Sequence, residues 1–267
     1  MNKYKFDLTD KKNSYLFGFI QADGHLSVAT RNRGKLVIKI GSVDSHILHE
    51  FKKMIPFNSS IREEVRDTNF KLNCHSTILS VYDWNFRTAL NEAGIPYGAK
   101  SKIIKPPSIT YSKSDYWRGI LDGDGSVGIT SKGRPFISLI TSSEPLAEAY
   151  FNLIEELVNY RPMVRRNTRD GVYNIMITNE RAQTLIKFMY ENATIGLNRK
   201  MQSAIDAMKW KRPASMKIKE IDKSWTEDEI NYLMQHSNIE SMSYTNRTEN
   251  AVKLKRYRTM KLKREAR

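Results

Sequence analysis

Two hydrophobic periodicities alternate along the chain. Residues 14–22 (SYLFGFIQA) and 115–123 (DYWRGILDG) are apolar on nearly every side, and each run ends at Asp-Gly. Runs of this kind predict helices buried all round. Alternating stretches follow: HLSVA with KLVIKI, then SVGIT with FISLI. Each pair flanks a glycine-bearing tip, Thr30-Arg31-Asn32-Arg33-Gly34 in the first and Ser131-Lys132-Gly133-Arg134 in the second. They predict antiparallel hairpins, with glycine supplying positive φ. In KLVIKI, Leu36, Ile38 and Ile40 share one face, while Lys35, Val37 and Lys39 share the other. DSHILHEFKKMI and SEPLAEAYFNLIEELVNY then read as helices, the second opening on Glu144-Pro145. A second hairpin is expected in each set. NFKLNCHS pairs with the strand before it, and PMVRRNT pairs with GVYNIMIT around Asp170-Gly171. Helices near YDWNFRTALNEA and NERAQTLIKFMYEN follow.

The two sets are copies of one unit. Gly18, Ala22, Asp23 and Gly24 correspond to Gly119, Gly123, Asp124 and Gly125. Ser42 lies 19 residues after Asp23, and Ser142 lies 18 after Asp124. Ala93, Ile95 and Lys100 align with Ala193, Ile195 and Lys200, so the Asp-to-Lys spacing is 77 in one copy and 76 in the other. Landmarks at near-constant spacing identify an internal duplication. The expected class is α+β, with two copies of one αββαββα unit over 1–110 and 111–209.

The duplicated helix carries the candidate chemistry. Gly18 and Ala22 share a helical face, as do Gly119 and Gly123. Small residues at this spacing let two helix backbones approach closely. Asp23 and Asp124 then sit side by side at helix C-termini, where the helix dipoles are already negative. A single Asp-Gly after an apolar helix is ordinarily a cap and a turn. Two copies with small-residue spacing, in a basic chain, point instead to a cation site. Paired carboxylates with open positions suit Mg²⁺, or Mn²⁺ or Ca²⁺ in the same place.

Charge adds a partner. Lys and Arg number 44 against 29 Asp and Glu, a net charge of +15. Such an excess suits a polyanion, with nucleic acid first. The single cysteine, Cys74, excludes an intramolecular disulfide and a cysteine-based zinc site. It reads as a structural thiol in a strand. The N-terminal MNKYKFDLTDKKNS lacks the apolar core of a signal peptide, and no run of about 20 apolar residues suggests a membrane span. The expected setting is cytoplasmic or nucleoid-associated, or an organellar matrix.

The stretches LFGFIQADG (16–24) and WRGILDGDG (117–125) resemble the LAGLIDADG motif, twice, and the resemblance to LAGLIDADG homing endonucleases covers about residues 14–209. It implies a monomer with two pseudo-symmetric repeats related by a pseudo-twofold axis, their antiparallel strands forming a β-saddle over double-stranded DNA. It also implies Mg²⁺-dependent double-strand cleavage of a long site, leaving short 3′ overhangs. By that resemblance Asp23 and Asp124 bind metal, and Lys100 and Lys200 match the family's basic residue near the centre. Ser42 and Ser142 fall where a polar residue, more usually Gln, organises water. Gln21 replaces the acid at the sixth motif position, while Asp122 keeps it. The rival class is a nucleic-acid binder that does not cut, an RNA maturase or a transcription regulator on the same scaffold. The retained pair of acids favours cutting.

A β-ribbon can enter the major groove and read base edges. Arg31, Arg33, Lys35, Lys39, Lys132, Arg134, Arg165, Arg166 and Arg169 lie on or near the strands and tips that would do so.

Residues 210–223 read as a basic linker. Beyond it, Ser224 and Glu227 have capping-box spacing, and Trp225, Ile230 and Leu233 form one apolar face. Thr248 precedes a basic helix. This segment, about 224–262, resembles Myb/SANT-like helix-turn-helix modules, which implies a small all-α domain with a recognition helix over about 247–259 in the major groove. Arg247, Asn250, Lys253 and Lys255 are the candidate contacts.

Overall fold

The computed structural model describes residues 4–29, 33–67, 72–216 and 225–265. The chain divides into two compact units, with the boundary between Arg212 and Pro213. In the first the order is α1 (Lys11–Asp23), β1 (Gly24–Leu26), β2 (Leu36–Gly41), a 3-10 turn (Ser42–Asp44), α2 (His46–Met54), β3 (Ser59–Arg66), β4 (Cys74–Val81), α3 (Trp84–Glu92), α4 (Lys113–Asp124), β5 (Gly125–Ile129), β6 (Pro135–Thr141), α5 (Glu144–Val158), β7 (Tyr173–Thr178), α6 (Asn179–Tyr190) and α7 (Asn198–Met208). Two antiparallel sheets form, β1-β2-β4-β3 and β5-β6-β7.

Helices α1 and α4 lie at the centre. Every residue from Ser14 to Gln21 and from Asp115 to Asp122 is buried. The two helices meet glycine on carbonyl, in reciprocal fashion. A Cβ on Gly18 would lie 2.3 Å from the Tyr116 carbonyl oxygen, and one on Gly119 would lie 2.2 Å from that of Tyr15. The Tyr15 hydroxyl donates to Asp122 (2.7 Å), and the Tyr116 hydroxyl donates to Gln21 (2.7 Å). Each helix is thus fastened to the sixth motif position of the other. The inward sheet residues Leu36, Ile38, Leu79, Ile137, Leu139 and Ile175 are fully buried and join this core. Alternation in KLVIKI appears as expected: Leu36 and Ile38 face in, while Lys39 is exposed.

Several expectations need correction. No strand forms over residues 162–168, so the second sheet has three strands where four were expected. Pro162 has no N–H to donate to a ladder. The chain still reverses at Asp170-Gly171, where the Asn167 N–H donates to the Val172 carbonyl (2.7 Å) and Gly171 has φ 66°. In the first repeat the strand expected over NFKLNCHS runs instead from Cys74 to Val81 and pairs along its length with β3. Its buried TILSV segment, not the polar residues before it, supplies the packing face. The second repeat closes with α7, whereas the matching position in the first is only a turn at Ser101–Ile103. The tip residues Thr30, Arg31 and Asn32 lie outside the described residues.

The second unit holds α8 (Glu227–Gln235), α9 (Asn238–Thr245) and α10 (Glu249–Glu265). Ser224 lies outside the described residues. The capping box is Thr226 with Glu229, and a second one, Ser237 with Glu240, opens the unforeseen α9. Leu233 and Val252 are fully buried between the helices. Arg247 lies over the Trp225 ring (4.2 Å to its centroid) and pairs with Glu229 (3.1 Å). Arg256 donates to Asn238 (3.0 Å) and to the His236 carbonyl (2.5 Å).

Candidate active site

Asp23 and Asp124 are the last residues of α1 and α4. The glycines after them do not take the left-handed conformation of a usual helix-ending glycine. Gly24 (φ −83°) and Gly125 (φ −121°) are extended, so a strand begins at once. Space is what requires glycine here: a Cβ on Gly24 would lie 2.7 Å from the Ile20 carbonyl oxygen, and one on Gly125 2.6 Å from that of Ser138. At Gly123 an added Cβ would lie 2.3 Å from the Ala22 Cβ and 3.3 Å from an Asp23 carboxylate oxygen. The two helix ends therefore bring the two acids into one neighbourhood.

A cavity opens on each side. One, of about 280 Å³, is lined by Asp23, Lys39, Gly41, Asp44, Gly123 and Arg199. The other, of about 230 Å³, is lined by Asp124, Gln21, Lys100, Ser101, Thr141 and Ser142. Each lies where a motif helix of one repeat meets the end of a central strand, β2 or β6.

Lys100 and Lys200 are buried at the ends of the two motif helices. The Lys100 ammonium donates to the carbonyls of Gln21 and Ala22, the latter at 2.8 Å. The Lys200 ammonium donates to the carbonyls of Leu121, Asp122 and Gly125, each at 2.7 Å. Each lysine thus caps the C-terminus of its own repeat's motif helix, where cations are favoured. Both pKa values are pushed down by burial, against the pull of nearby carboxylates.

The acids keep a conflict that the lysines only reduce. Burial, and then the charge of Asp23, raise the pKa of Asp124 to about 6, with Lys100 and Lys200 acting in the opposite direction. Asp23 is also raised by burial, with the two lysines opposing and Asp44 adding. Such a pair suits a cation: added positive charge relieves both acids at once. The donors are two carboxylates beside cavities with room for water, which fits Mg²⁺ with its retained water shell. No group of three or more His, Cys, Asp or Glu suited to a metal occurs among the described residues.

The serines differ from each other. Ser142 lines the Asp124 cavity and donates to the Ser101 carbonyl (2.8 Å). Ser42 accepts from the Thr77 hydroxyl (3.1 Å), and Gly41 and Asp44 line the Asp23 cavity instead. Asp44 pairs with Arg199 of the other repeat (3.0 Å). Sequence reading missed this pair; the only signal was that Arg199 adjoins Lys200. It also missed the buried role of the sixth motif position. Asp122 accepts from Tyr15, Tyr190 (2.8 Å) and the Leu197 N–H (2.9 Å), which makes it a structural fastener.

The basic candidates divide by environment. Arg33, Lys132, Arg134 and Arg165 are exposed. Lys35 lies 5.9 Å from the Tyr82 ring centroid, and Lys39 pairs with Glu64. Arg166 lies over the Tyr173 ring and donates to the Gly171 carbonyl (3.2 Å), while Arg169 pairs with its neighbour Asp170 (2.7 Å). In the second unit Asn250 is exposed, Lys253 pairs with Glu249 (2.7 Å), and Lys255 is half-buried. Arg247 is turned into the unit by Trp225 and Glu229, which removes it from the outward-facing set.

Comparison with known proteins bears on this geometry. The profile of a family described as LAGLIDADG-like domain matches residues 112–187, from the start of α4 into α6. No curated protein matches the chain by sequence. Among solved structures the chain is similar to the homing endonuclease I-WcaI bound to its DNA recognition sequence, at 14% identity and a TM-score of 0.52, over 74% of this chain and 88% of that one. Others are the I-LtrWI LAGLIDADG homing endonuclease bound to target DNA (13%, TM-score 0.47, 74% and 88%) and the N-terminal LAGLIDADG domain of DUF199/WhiA (14%, TM-score 0.43, 78% and 86%). The likeness to I-WcaI shows the fold: a mixed α/β chain with antiparallel sheets, in the arrangement of LAGLIDADG homing endonucleases.

Proposed function

We propose that this chain is a site-specific DNA endonuclease making a divalent-cation-dependent double-strand break at a long recognition site, and that it promotes homing of its own gene or intron. One observation carries the reading: Asp23 and Asp124 end two helices packed glycine-on-carbonyl, each beside its own cavity. Asp23 and Asp124 hold Mg²⁺, with Mn²⁺ or Ca²⁺ able to take its place. The bound cation supplies positive charge and an activated water for phosphodiester hydrolysis. Lys100 and Lys200 hold the helix ends so that the carboxylates stay paired. Ser142, which lines the cavity beside Asp124, orders water there.

The chain acts as a monomer, its two repeats each facing one half-site of a DNA duplex. The outward sheet faces lie in the major groove, while Arg33, Lys132, Arg134 and Arg165 meet phosphates. That I-WcaI, which shares the fold, was solved on its DNA recognition sequence supports this. The second unit acts as a helix-turn-helix reader through α9 and α10, with Asn250, Lys253 and Lys255 toward DNA. Its two capping boxes and basic third helix support that role.

The test is selection and cleavage on a randomised duplex library with Mg²⁺, against a control in EDTA. Wild-type protein is expected to cut both strands of a selected duplex. Asp23→Asn and Asp124→Asn are expected to lose double-strand cleavage by more than about 10³-fold, as expected where a group acts only in the transition state, and to keep binding within a few fold. Tight binding of the selected duplex without cutting in Mg²⁺ or Mn²⁺ overturns the nuclease reading in favour of a non-cutting regulator or maturase.

A further inference from the structure

The outward faces of the two sheets are chemically unlike. Residues directly opposed in an antiparallel ladder share a face. In the first sheet Lys39 is opposite Ile78, which is opposite Arg62, and Gly41 is opposite Ser76, which is opposite Glu64. Arg66 extends this face at the end of β3 and pairs with Glu64 (2.6 Å). The face therefore carries Lys39, Arg62 and Arg66 around a buried Ile78, with Lys39 and Arg66 both paired to Glu64.

The second sheet has none of this. Its strands GSVGI, PFISLIT and YNIMIT hold no charged residue. Val127, Ile137, Ile175 and Ile177 point into the core. The register then leaves Ser126, Ser138 and Met176 in one outward row, with Ile140 and Asn174 in the next. Ile140 and Met176 are diagonal neighbours across β6 and β7, 48% and 47% exposed. Two large apolar side chains held outward on one sheet face, with no charge among its strands, suit an apolar target. On duplex DNA the apolar group in the major groove is the thymine C5-methyl, whereas cations suit guanine O6 and N7. Exposed cations of this repeat lie beside the strands and not on this face, Lys132 and Arg134 in the β5–β6 turn and Arg165 before β7. Phosphate holding and base reading are thereby separated.

Resting on the reading of the sheets as DNA-facing, we infer that the two repeats read their half-sites by different chemistry. The β5–β7 face selects a thymine-rich half-site through methyl contacts of Ile140 and Met176, and the β2–β4–β3 face selects a guanine-containing one through Lys39 and Arg62.

The probe is a duplex selected from a randomised library by the wild-type chain, with binding measured in Ca²⁺ or EDTA. Replacing thymine by deoxyuridine removes only the methyl. In one half-site this is expected to weaken binding about three- to fourfold per methyl touched, the value of one buried methyl group. In the other half it changes nothing, while 7-deazaguanine there weakens binding. Against Met176→Ala, the same deoxyuridine substitution at one position is expected to have no further effect, which assigns that half-site to β7. Equal effects in both halves, no deoxyuridine effect in a duplex that still binds, or an undiminished effect against both Met176→Ala and Ile140→Ala overturns the inference alone. Failure to retain any duplex overturns it together with the DNA-binding reading.

Discussion

Replacing Asp124 with Asn is expected to make the metal-free protein more stable while destroying its response to Mg²⁺. Burial and the charge of Asp23 lift the Asp124 pKa from an ordinary 3.8 to about 6. For an acid, a folded-state pKa above the unfolded value means that ionisation opposes folding. The opposition is absent below the unfolded value, grows as pH rises toward about 6, and is complete above it. The ceiling is about 3 kcal/mol, from 1.36 kcal/mol for each unit of pKa difference. The amide of Asn keeps the shape and removes the charge, and water already reaches part of the site. A realised gain of about 1–2 kcal/mol corresponds to about 2–8 °C in Tm for a unit of this size.

Thermal unfolding in EDTA measures it, at pH 8 and again at pH 4.5. The Asn variant should melt higher at pH 8, and its advantage should shrink at pH 4.5. Adding Mg²⁺ at pH 8 should raise the Tm of the wild type and leave the variant nearly unmoved, since ligand that binds only the folded state stabilises it. An Asn variant no more stable than wild type at pH 8, or an advantage unchanged with pH, would refute the electrostatic reasoning.

Other consequences follow from the same packing. Gly119→Ala places a Cβ about 2.2 Å from the Tyr15 carbonyl oxygen, so the helices must part; a loss of about 1–3 kcal/mol in urea unfolding is expected, and an unchanged midpoint would mean the helices meet more loosely than described. Lys200→Met leaves three carbonyls at the end of α4 without their shared donor; a loss of roughly 2–4 kcal/mol is expected from stranded acceptors. A lysine that acted only on substrate would leave stability untouched. Truncation after Arg212 should lower affinity for the selected duplex and flatten the slope of log affinity against log salt by about one for each phosphate that the second unit neutralises. An identical slope would remove the second unit from the DNA interface.

Much of this was legible because it depends on local spacing. The all-round apolar runs, the small residues four apart and the alternating strands each need only a helix or strand period to be read. What escaped depends on register between elements far apart in the chain. Tyr15 and Asp122 are separated by 107 residues, and nothing in either segment announces that one will donate to the other. Asp44 and Arg199, separated by 155, meet only because the repeats fold face to face. The lysines show the intermediate case. Their near-equal spacing from the aspartates was visible, but not that the ammonium groups would end on backbone carbonyls. The missing strand at 162–168 was readable in principle from Pro162, outweighed by the turn signal at Asp170-Gly171. The Ser-x-x-Glu signature of α9 was likewise present at Ser237, ahead of a helix with few buried side chains.

The packing of α1 on α4 also explains how two unfavourable charges can be kept adjacent in the absence of any ligand. Two carboxylates at the negative ends of two helices repel each other and the carbonyls behind them. Helix separation would relieve that, and three features oppose separation. Gly18 and Gly119 bring the backbones together, and Tyr15 with Asp122 and Tyr116 with Gln21 tie each helix to the other. Lys100 and Lys200 neutralise the carbonyl ends without pairing directly with Asp23 or Asp124. Burial leaves both carboxylates raised in pKa, with the lysines lowering them only in part, and a cation would relieve that state. A salt bridge from either lysine to the acids would have left less for a cation to do. Placing the lysines on the carbonyls keeps the helix ends together and reserves the two acids.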